Sequence, residues 1–462
     1  MPATTDDRND AAPGLGQTRS PPTGAWLVVA VAVCVAVGLS VFQLANDDTG
    51  FHIATGRWIR ANGEVPAFNP FSYANDGARW IQHQWLPAVA ISWLVDHVDV
   101  AGLIVVKALL VGLIFAVVGG GMVRRRVPVE AVAVLLAVAL AAAAFRFKAR
   151  PYLISALALA LTTVALHAWQ ASSWRDRRAL AIAILVPALA IQCHAGGLHS
   201  LLAWLALTGG LLVSRLRLLV SSSSSSSWQS LFLPDGASLP AGGGGSSGLG
   251  RVLPGFVAAV AAVVVSLWLF APAGLAVLSL PLRFSANGYW HAHLAEFRPP
   301  AVGWLWAPQW LALAVGAALL VPAWRTGRHF EGLILLGFGA LAARHQRMIL
   351  PYAVVLPLAG GAIAAATVSA SSRLAGLVGR PRSLAVTVSL AAALVLYAGI
   401  DHASNYRMGL AGDAIDRRVA PIELLEQARA LPGETFVSDG LAGTWLWRNL
   451  EAGAAAVGTT AA

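Results

Sequence analysis

The stretch Asn46-Asp47-Asp48-Thr49-Gly50-Phe51-His52 sets two carboxylates side by side at the end of the first long apolar run. Adjacent carboxylates at a membrane boundary repel one another and lose hydration, which raises the proton affinity of at least one. Such a group can take a proton from a substrate hydroxyl. The plainer use of Asp47 and Asp48 is to cap the following helix, with Thr49 as a further cap. Two basic clusters form a second set: Arg146, Lys148 and Arg150 at one helix junction, Arg344 and Arg347 at another. Charge at a membrane boundary is costly unless it is paired or hydrated. A lipid phosphate in the headgroup plane meets that need, and a guanidinium grips it in a bidentate way. The other readings are snorkelling to ordinary headgroups, or pairing with Glu296 or Asp401. The third set is His52, His83, His194, His199, His291, His293 and His345. His291-x-His293, with His52 or Glu296, has the donor types that suit Zn or Mn, so a divalent metal is a candidate cofactor. Hydrogen bonds within the loops are the competing use. His83 and His194 are candidates for orienting an acceptor or a leaving phosphate.

These residues need elements to hold them, and composition says which. Of 462 residues, 57% are hydrophobic and 12% charged. Repeated apolar runs near the length that crosses a bilayer predict an all-α polytopic membrane protein of about eleven transmembrane helices. The first run, Trp26 to Leu44, is longer than a signal-peptide core and has no basic flank before it, so it reads as a retained anchor. Later spans are expected near 100–122, 127–145, 151–169, 179–198, 200–214, 252–270, 303–322, 331–343, 348–366 and 383–400. Those at 200–214 and 331–343 are short and need their flanks to complete a crossing. Starting from a cytoplasmic N-terminus, alternation puts Arg124-Arg125-Arg126, Arg175/Arg177/Arg178, Arg215/Arg217, Arg325/Arg328 and Arg373/Arg380/Arg382 inside, as the positive-inside rule requires. The same placement explains the net charge of +10 without nucleic acid. Cys34 and Cys193 lie in apolar runs and supply no disulfide framework.

The opposite side receives a long first loop (45–99), a second long loop (271–302), turns near 146–150, 194–199 and 344–347, and the C-terminal segment 401–462. Roughly nine of the eleven histidines fall there, a bias that solvation does not require and proton chemistry explains. Within the first loop, Phe51 to Asn62 is amphipathic and ends at Gly63, while Trp85 to Val98 is apolar but too short to span, hence interfacial or re-entrant. Trp80, Trp85, Trp290, Trp304 and Trp306 suit an interface belt. Residues 1–24 read as a disordered cytoplasmic N-terminus, 25–400 as the transmembrane domain, and 218–250 as a cytoplasmic Ser/Gly linker. Residues 401–462 read as a small extracytoplasmic α/β segment. The Ala-, Gly-, Val- and Arg-rich usage is that of a GC-rich bacterial genome, so the expected site is a bacterial inner membrane.

The first loop resembles a known group. Asp48-Thr49-Gly50-Phe51-His52-Ile53 with Gly56, Gly63-Glu64-Val65-Pro66, Asn69-Pro70-Phe71-Ser72-Tyr73, Trp80-Ile81 and His83-Gln84-Trp85-Leu86 are similar to the GT-C superfamily of membrane glycosyltransferases. That superfamily includes the protein mannosyltransferases and aminoarabinose transferases, with related bacterial membrane proteins beside them. Shorter pieces continue the likeness over most of residues 25–450 outside the linker: Arg146 with Arg150-Pro151, His194-Ala195-Gly196-Gly197, Glu296-Phe297, Arg344 with Arg347, and Gly443 with Leu446-Trp447. The resemblance implies a polyprenyl-phosphate-linked sugar as donor and a hydroxyl, amine or lipid as acceptor, with membrane lipids around it. It places the catalytic base on Asp48 or Asp47. The expected activity is inverting sugar transfer at the outer face, with Arg150, Arg344 and Arg347 stabilising the departing phosphate. Two other classes stay open: a polytopic transporter, and a non-catalytic membrane protein that binds a lipid-linked glycan. Against a transporter, the apolar segments carry few ionisable residues and show no paired broken helices.

Overall fold

The computed structural model describes residues 23–44, 48–71, 79–223, 245–286 and 288–406. Within them the ordered elements are helices, and the strand-like pairing whose two partners are both described is an antiparallel bridge between Phe68 and Arg79. The principal helices are α1 (Thr23–Gly38), α2 (Asp48–Asn62), α3 (Trp85–Arg124), α4 (Val129–Ala143), α5 (Tyr152–Ala171), α6 (Arg177–Ala190), α7 (His199–Ser223), α8 (Gly245–Phe270), α9 (Ala307–Arg325), α10 (His329–Arg344), α11 (Ile349–Ser369) and α12 (Pro381–Asn405). Among the described residues, eight helical segments are long and apolar enough to cross a membrane, in α3, α4, α5, α7, α8, α9, α11 and α12. The remaining expected crossings correspond to α1, α6 and α10, of 16, 14 and 16 residues, short of the roughly 20 that span a hydrocarbon core without help from their flanks.

Helix α11 is the hub. Every residue from Ile349 to Ile363 is buried, the pattern of a helix that is apolar on all sides because protein, not lipid, surrounds it. Helices α3, α4, α5, α9 and α10 pack around it. At the rim the opposite holds. Val386, Val388, Leu390, Leu396 and Ile400 of α12, and Val257, Val265, Trp268 and Phe270 of α8, are exposed apolar side chains that match hydrocarbon rather than water. Close approach is arranged by small residues: a Cβ on Gly316 of α9 would fall 1.7 Å from the Tyr352 hydroxyl, which instead donates to the Ala312 carbonyl at 3.1 Å.

The structure corrects several expected boundaries. The span at 200–214 is not short: α7 has 25 residues, because the helix continues past Arg215. Arg217 lies over the Trp324 ring at 5.2 Å and donates to the Trp324 carbonyl at 2.9 Å, so its charge does not end the segment. The linker expected over 218–250 loses both ends to α7 and α8, and 224–244 lie outside the described residues. The second long loop, expected on the outer side, is built of short helical turns, including Leu280–Ala286, Gly288–His293 and Ala295–Phe297. Helix α12 carries the chain through Asn405; the α/β segment expected beyond it, like the N-terminal residues 1–22, is outside the described residues.

Two helical arms of the first loop, α2 and the start of α3, pack on one another. Helix α2 ends on Gly63 at φ 71°, whose N–H reaches the Ile59 carbonyl at 2.8 Å, the left-handed cap that glycine supplies. Helix α3 breaks at Asp99 (φ 81°, ψ 172°), which separates the Trp85–Val98 arm from the crossing that follows. The Asp99 carboxylate accepts from the Val100 N–H at 2.6 Å, where the helix resumes. Arg57 and Arg60 of α2 both pair with Asp96 of this arm, Arg57 Nε at 2.9 Å. Gly56 lets the two arms touch: a Cβ there would lie 2.0 Å from the Ala88 carbonyl oxygen.

Overpacking of that kind costs on the order of 1–3 kcal/mol. Gly56→Ala is therefore expected to loosen α2 from α3 without unfolding the bundle. Limited proteolysis should cut the first loop sooner in the variant, and unchanged protection would show that the contact is not a constraint.

Candidate functional site

Four segments distant in sequence deliver ionised side chains to one end of the bundle. Helix α2 begins at Asp48, so the carboxylate sits in its first turn, where the N-terminal dipole favours negative charge. Thr49 does not cap the helix; it donates to the Ala149 carbonyl at 3.1 Å. That bond ties α2 to the α4–α5 turn, which carries Arg146, Lys148 and Arg150. Arg150 pairs with Asp48 and also donates to Glu296 Oε2 at 3.2 Å. Arg146 donates to the same oxygen at 3.3 Å, and Arg347 Nη1 stands 4.0 Å from Glu296 Oε1. One carboxylate of the 271–302 loop is thus shared by three guanidinium groups, one of which also holds Asp48.

The backbone around this cluster is fixed by hydrogen bonds rather than by regular structure. His345 Nδ1 lies 2.7 Å from the Phe297 carbonyl, the Gln346 N–H donates to the Arg298 carbonyl at 2.9 Å, and Gln346 Nε2 donates to the Pro299 carbonyl at 3.0 Å. Together they pin the Glu296 turn to the α10–α11 connection. The Phe297 ring supports Arg347, whose guanidinium carbon is 4.5 Å from its centroid. Arg146 rests over Tyr152 at 4.5 Å, and the Tyr152 hydroxyl donates to the Arg146 carbonyl at 2.5 Å. Phe297, Tyr152 and Gln346 carry no charge pattern that sequence reasoning would single out. Phe297 was visible only as the neighbour of Glu296.

Charge is unbalanced here. Arg146, Lys148, Arg150 and Arg347 face Asp48 and Glu296. Burial would raise the Glu296 pKa, but the combined pull of Arg146, Arg347 and Arg150 holds it below the ordinary carboxylate value. Lys148 is pushed down to about 8, first by burial and then by Arg150 and Arg146. The cluster is open on one side: the side chains of Asp48, Glu296 and Arg347 are 48%, 27% and 29% exposed. Arg146 is buried, and its Nε has no hydrogen-bond partner among the described residues.

A wall of imidazoles adjoins the arginines. Burial first, then Arg150 and His83, lowers His52 to about 3. His83 falls to about 4, mainly through burial and further through Arg347, against a bond to the Ile81 carbonyl that raises it. His194 is held well below the ordinary value by burial and by His83 and Arg347. Its Nδ1 accepts from the Gly196 N–H at 2.9 Å and lies 3.0 Å from Ser155 Oγ, so in the neutral ring the proton belongs on Nε2. The His83 and His194 rings are 5.8 Å apart, and Gln84 Nε2 is 3.0 Å from His83 Nε2.

The structure therefore gathers Asp48, Arg146, Arg150, Arg347 and Glu296, with His52, His83 and His194 beside them. Asp47 lies outside the described residues. Arg344 is exposed and among the described residues makes no ion pair; it closes the C-terminal end of α10, while Arg347, one turn later, reaches Glu296. His291 turns its Nε2 toward the Ser285 carbonyl at 3.3 Å and its ring toward His345 at 5.4 Å, and the His293 side chain is outside the description. Among the described residues no three His, Cys, Asp or Glu side chains are grouped so as to hold a metal ion.

Neutral imidazoles that stay neutral when folded make stability depend on pH. The unfolded chain takes up these protons near 6.5, while folded His52 and His83 wait until about 3 and about 4. The folded state thus binds fewer protons in that interval, and its stability, intact above 6.5, is lost as the pH falls toward 4. The melting temperature in nanodiscs should drop across this window, and His52→Gln with His83→Gln should flatten the drop. A flat wild-type profile would show that the imidazoles are protonated in place.

No protein-family model and no curated protein sequence matches the chain. Among solved structures it is similar to the archaeal oligosaccharyltransferase AglB from Archaeoglobus fulgidus, determined in complex with an inhibitory peptide and a dolichol-phosphate. The match has a TM-score of 0.51 at 16% identity, covering 90% of this chain. The chain spans 58% of the length of that protein. AglB is a member of the GT-C superfamily, so the likeness first carried by the residues around Asp48 extends to the course of the helices. The chain is an all-α polytopic membrane protein with a GT-C-like fold.

Proposed function

We propose that the protein is a glycosyltransferase that moves a sugar from a polyprenyl-phosphate donor to an acceptor at the outer face of the membrane. The observation that carries this reading is the meeting of Asp48 with Arg146, Arg150 and Arg347 at one partly open end of a GT-C-like bundle. The neighbour's bound dolichol-phosphate belongs to that protein; for this chain it supports the choice of a lipid phosphate over other anions.

In this mechanism the donor phosphate lies against the three guanidinium groups, and Arg150 turns from Asp48 to the phosphate. The released Asp48 accepts the proton of the acceptor hydroxyl. The acceptor oxygen forms a bond to the anomeric carbon from the face opposite the phosphate, so configuration inverts. The bond between that carbon and the phosphate oxygen breaks, and its electron pair leaves with the polyprenyl phosphate. Arg146, Arg150 and Arg347 meet the charge that develops there, which is where preorganised donors lower a barrier most. The packed arms of the first loop keep water, a competing acceptor, from the reacting carbon. The bacterial inner membrane, with the N-terminus inside and the acidic first loop outside, is the setting that the basic loops support.

Non-catalytic binding of a lipid-linked glycan is a second reading, favoured by the Asp48–Arg150 pair, which occupies the carboxylate that the chemistry needs. The two are separated by Asp48→Asn. For the enzyme, the variant is expected to keep the wild-type melting temperature and donor binding while losing transfer of radiolabelled sugar by about 10²–10⁴-fold, the usual range for a proton-transfer group. Undiminished transfer by Asp48→Asn would falsify the base assignment. Donor binding with no product in the wild type, for any acceptor class, would leave the binding protein.

A further inference from the structure

We infer that Glu296 is the resident anion of the phosphate seat: its carboxylate occupies the place among Arg146, Arg150 and Arg347 that the donor phosphate takes, and must leave for the donor to enter. This rests on the proposed reading of the arginines as the lipid-phosphate site, and adds a competitor built into the chain.

The geometry supports occupancy rather than remote support. Glu296 Oε2 takes hydrogen bonds from Arg146 at 3.3 Å and Arg150 at 3.2 Å, while its other oxygen faces Arg347 at 4.0 Å. The carboxylate therefore stands between guanidinium groups from two separate helix junctions, the position in which a tetrahedral phosphate would satisfy all three. A carboxylate offers two acceptor oxygens and one charge; the phosphodiester of the donor matches it in both, and the polyprenyl phosphate monoester left after transfer offers three terminal oxygens and more charge. The seat is not saturated by Glu296: Arg146 Nε, on a residue that is 7% exposed, remains without a hydrogen-bond partner among the described residues. Lys148 adds a further cation that makes no ion pair among the described residues.

The backbone of the Glu296 turn is pinned by His345 and Gln346, through the carbonyls of Phe297, Arg298 and Pro299. The loop is thereby held in place while the side chain, 27% exposed, has room to swing toward solvent. Two consequences follow. Between turnovers, Glu296 prevents three guanidinium groups from repelling one another at a membrane boundary. After transfer, its return competes with the polyprenyl phosphate product and speeds release. Glu296 is thus a positioning residue whose removal should tighten lipid-phosphate binding, the opposite of what loss of a ligand-holding group does.

The test uses the full chain in nanodiscs with undecaprenyl phosphate as probe and inorganic phosphate in a parallel titration. Glu296→Gln keeps the shape and removes the charge. It is expected to bind undecaprenyl phosphate about ten- to a hundredfold more tightly than the wild type, the scale of one charge-assisted contact removed from competition. With donor in turnover it should lower both KM and kcat, because product stays bound. Glu296→Asp, whose shorter side chain reaches fewer of the arginines, should shift binding the same way by less, and serves if Glu296→Gln does not fold. Equal or weaker binding by both variants, while the wild type binds and Arg150→Gln does not, overturns the inference and leaves the lipid-phosphate site standing. Tightening toward inorganic phosphate alone overturns the assignment to a lipid seat. Absence of binding by the wild type and both Glu296 variants overturns the site and the inference together.

Discussion

Arg150 is the residue through which the two halves of the site communicate. It holds Asp48 of the first loop and Glu296 of the second at once, and it stands in a turn whose neighbour, Ala149, receives the Thr49 hydroxyl. An ionised group at a membrane boundary persists only when it is paired or hydrated. Here the need is met by bringing separate loops together over one helix junction. Without that junction, Asp48 and Glu296 have no reason to share a surface, and this end of the bundle would be two unrelated loops.

The scaffold beneath this junction is ordinary hydrophobic packing carried to an extreme. Helix α11 is buried along its first fifteen residues, and it presents Arg347 from the turn just before it. Helices α4 and α5 present Arg146 and Arg150 from the other side. Small residues set the separations: Gly56 admits the Ala88 carbonyl, and Gly197 comes so near the end of α6 that a Cβ would fall 2.7 Å from the Ile191 nitrogen. Rigid apolar helices with charged ends suit a site in which guanidinium groups must already be aimed before a ligand arrives, since preorganised donors act without reorganisation.

The imidazoles give the site a second character. His52, His83 and His194 stand beside Arg150 and Arg347, and burial together with those cations keeps them neutral. A neutral ring donates with one nitrogen and accepts with the other, the pattern that suits the hydroxyls of a sugar. This end of the bundle thus divides into a cationic side and an uncharged polar side.

Much of this was legible in the chain before folding. Apolar runs marked the crossings, because hydrocarbon does not tolerate unpaired backbone; of the eleven expected, eight are long and apolar enough among the described residues. The break between an interfacial arm and the next crossing was expected between Val98 and residue 100, and Asp99 carries it. The residues that could do chemistry were named from type and position alone. Their partnership was legible only in part: pairing with Glu296 was one of the readings open for the arginines, and the structure shows it for Arg146, Arg150 and Arg347. Glu296 lies about 150 residues from Arg150, and no local pattern says that three arginines will converge on it. Nor could spacing separate Arg347, which turns inward, from Arg344, which does not. Periodicity reports which face of one helix is apolar, a local property of the chain. Which charged ends meet depends on how whole helices pack against one another, and that is decided only when the bundle closes around α11.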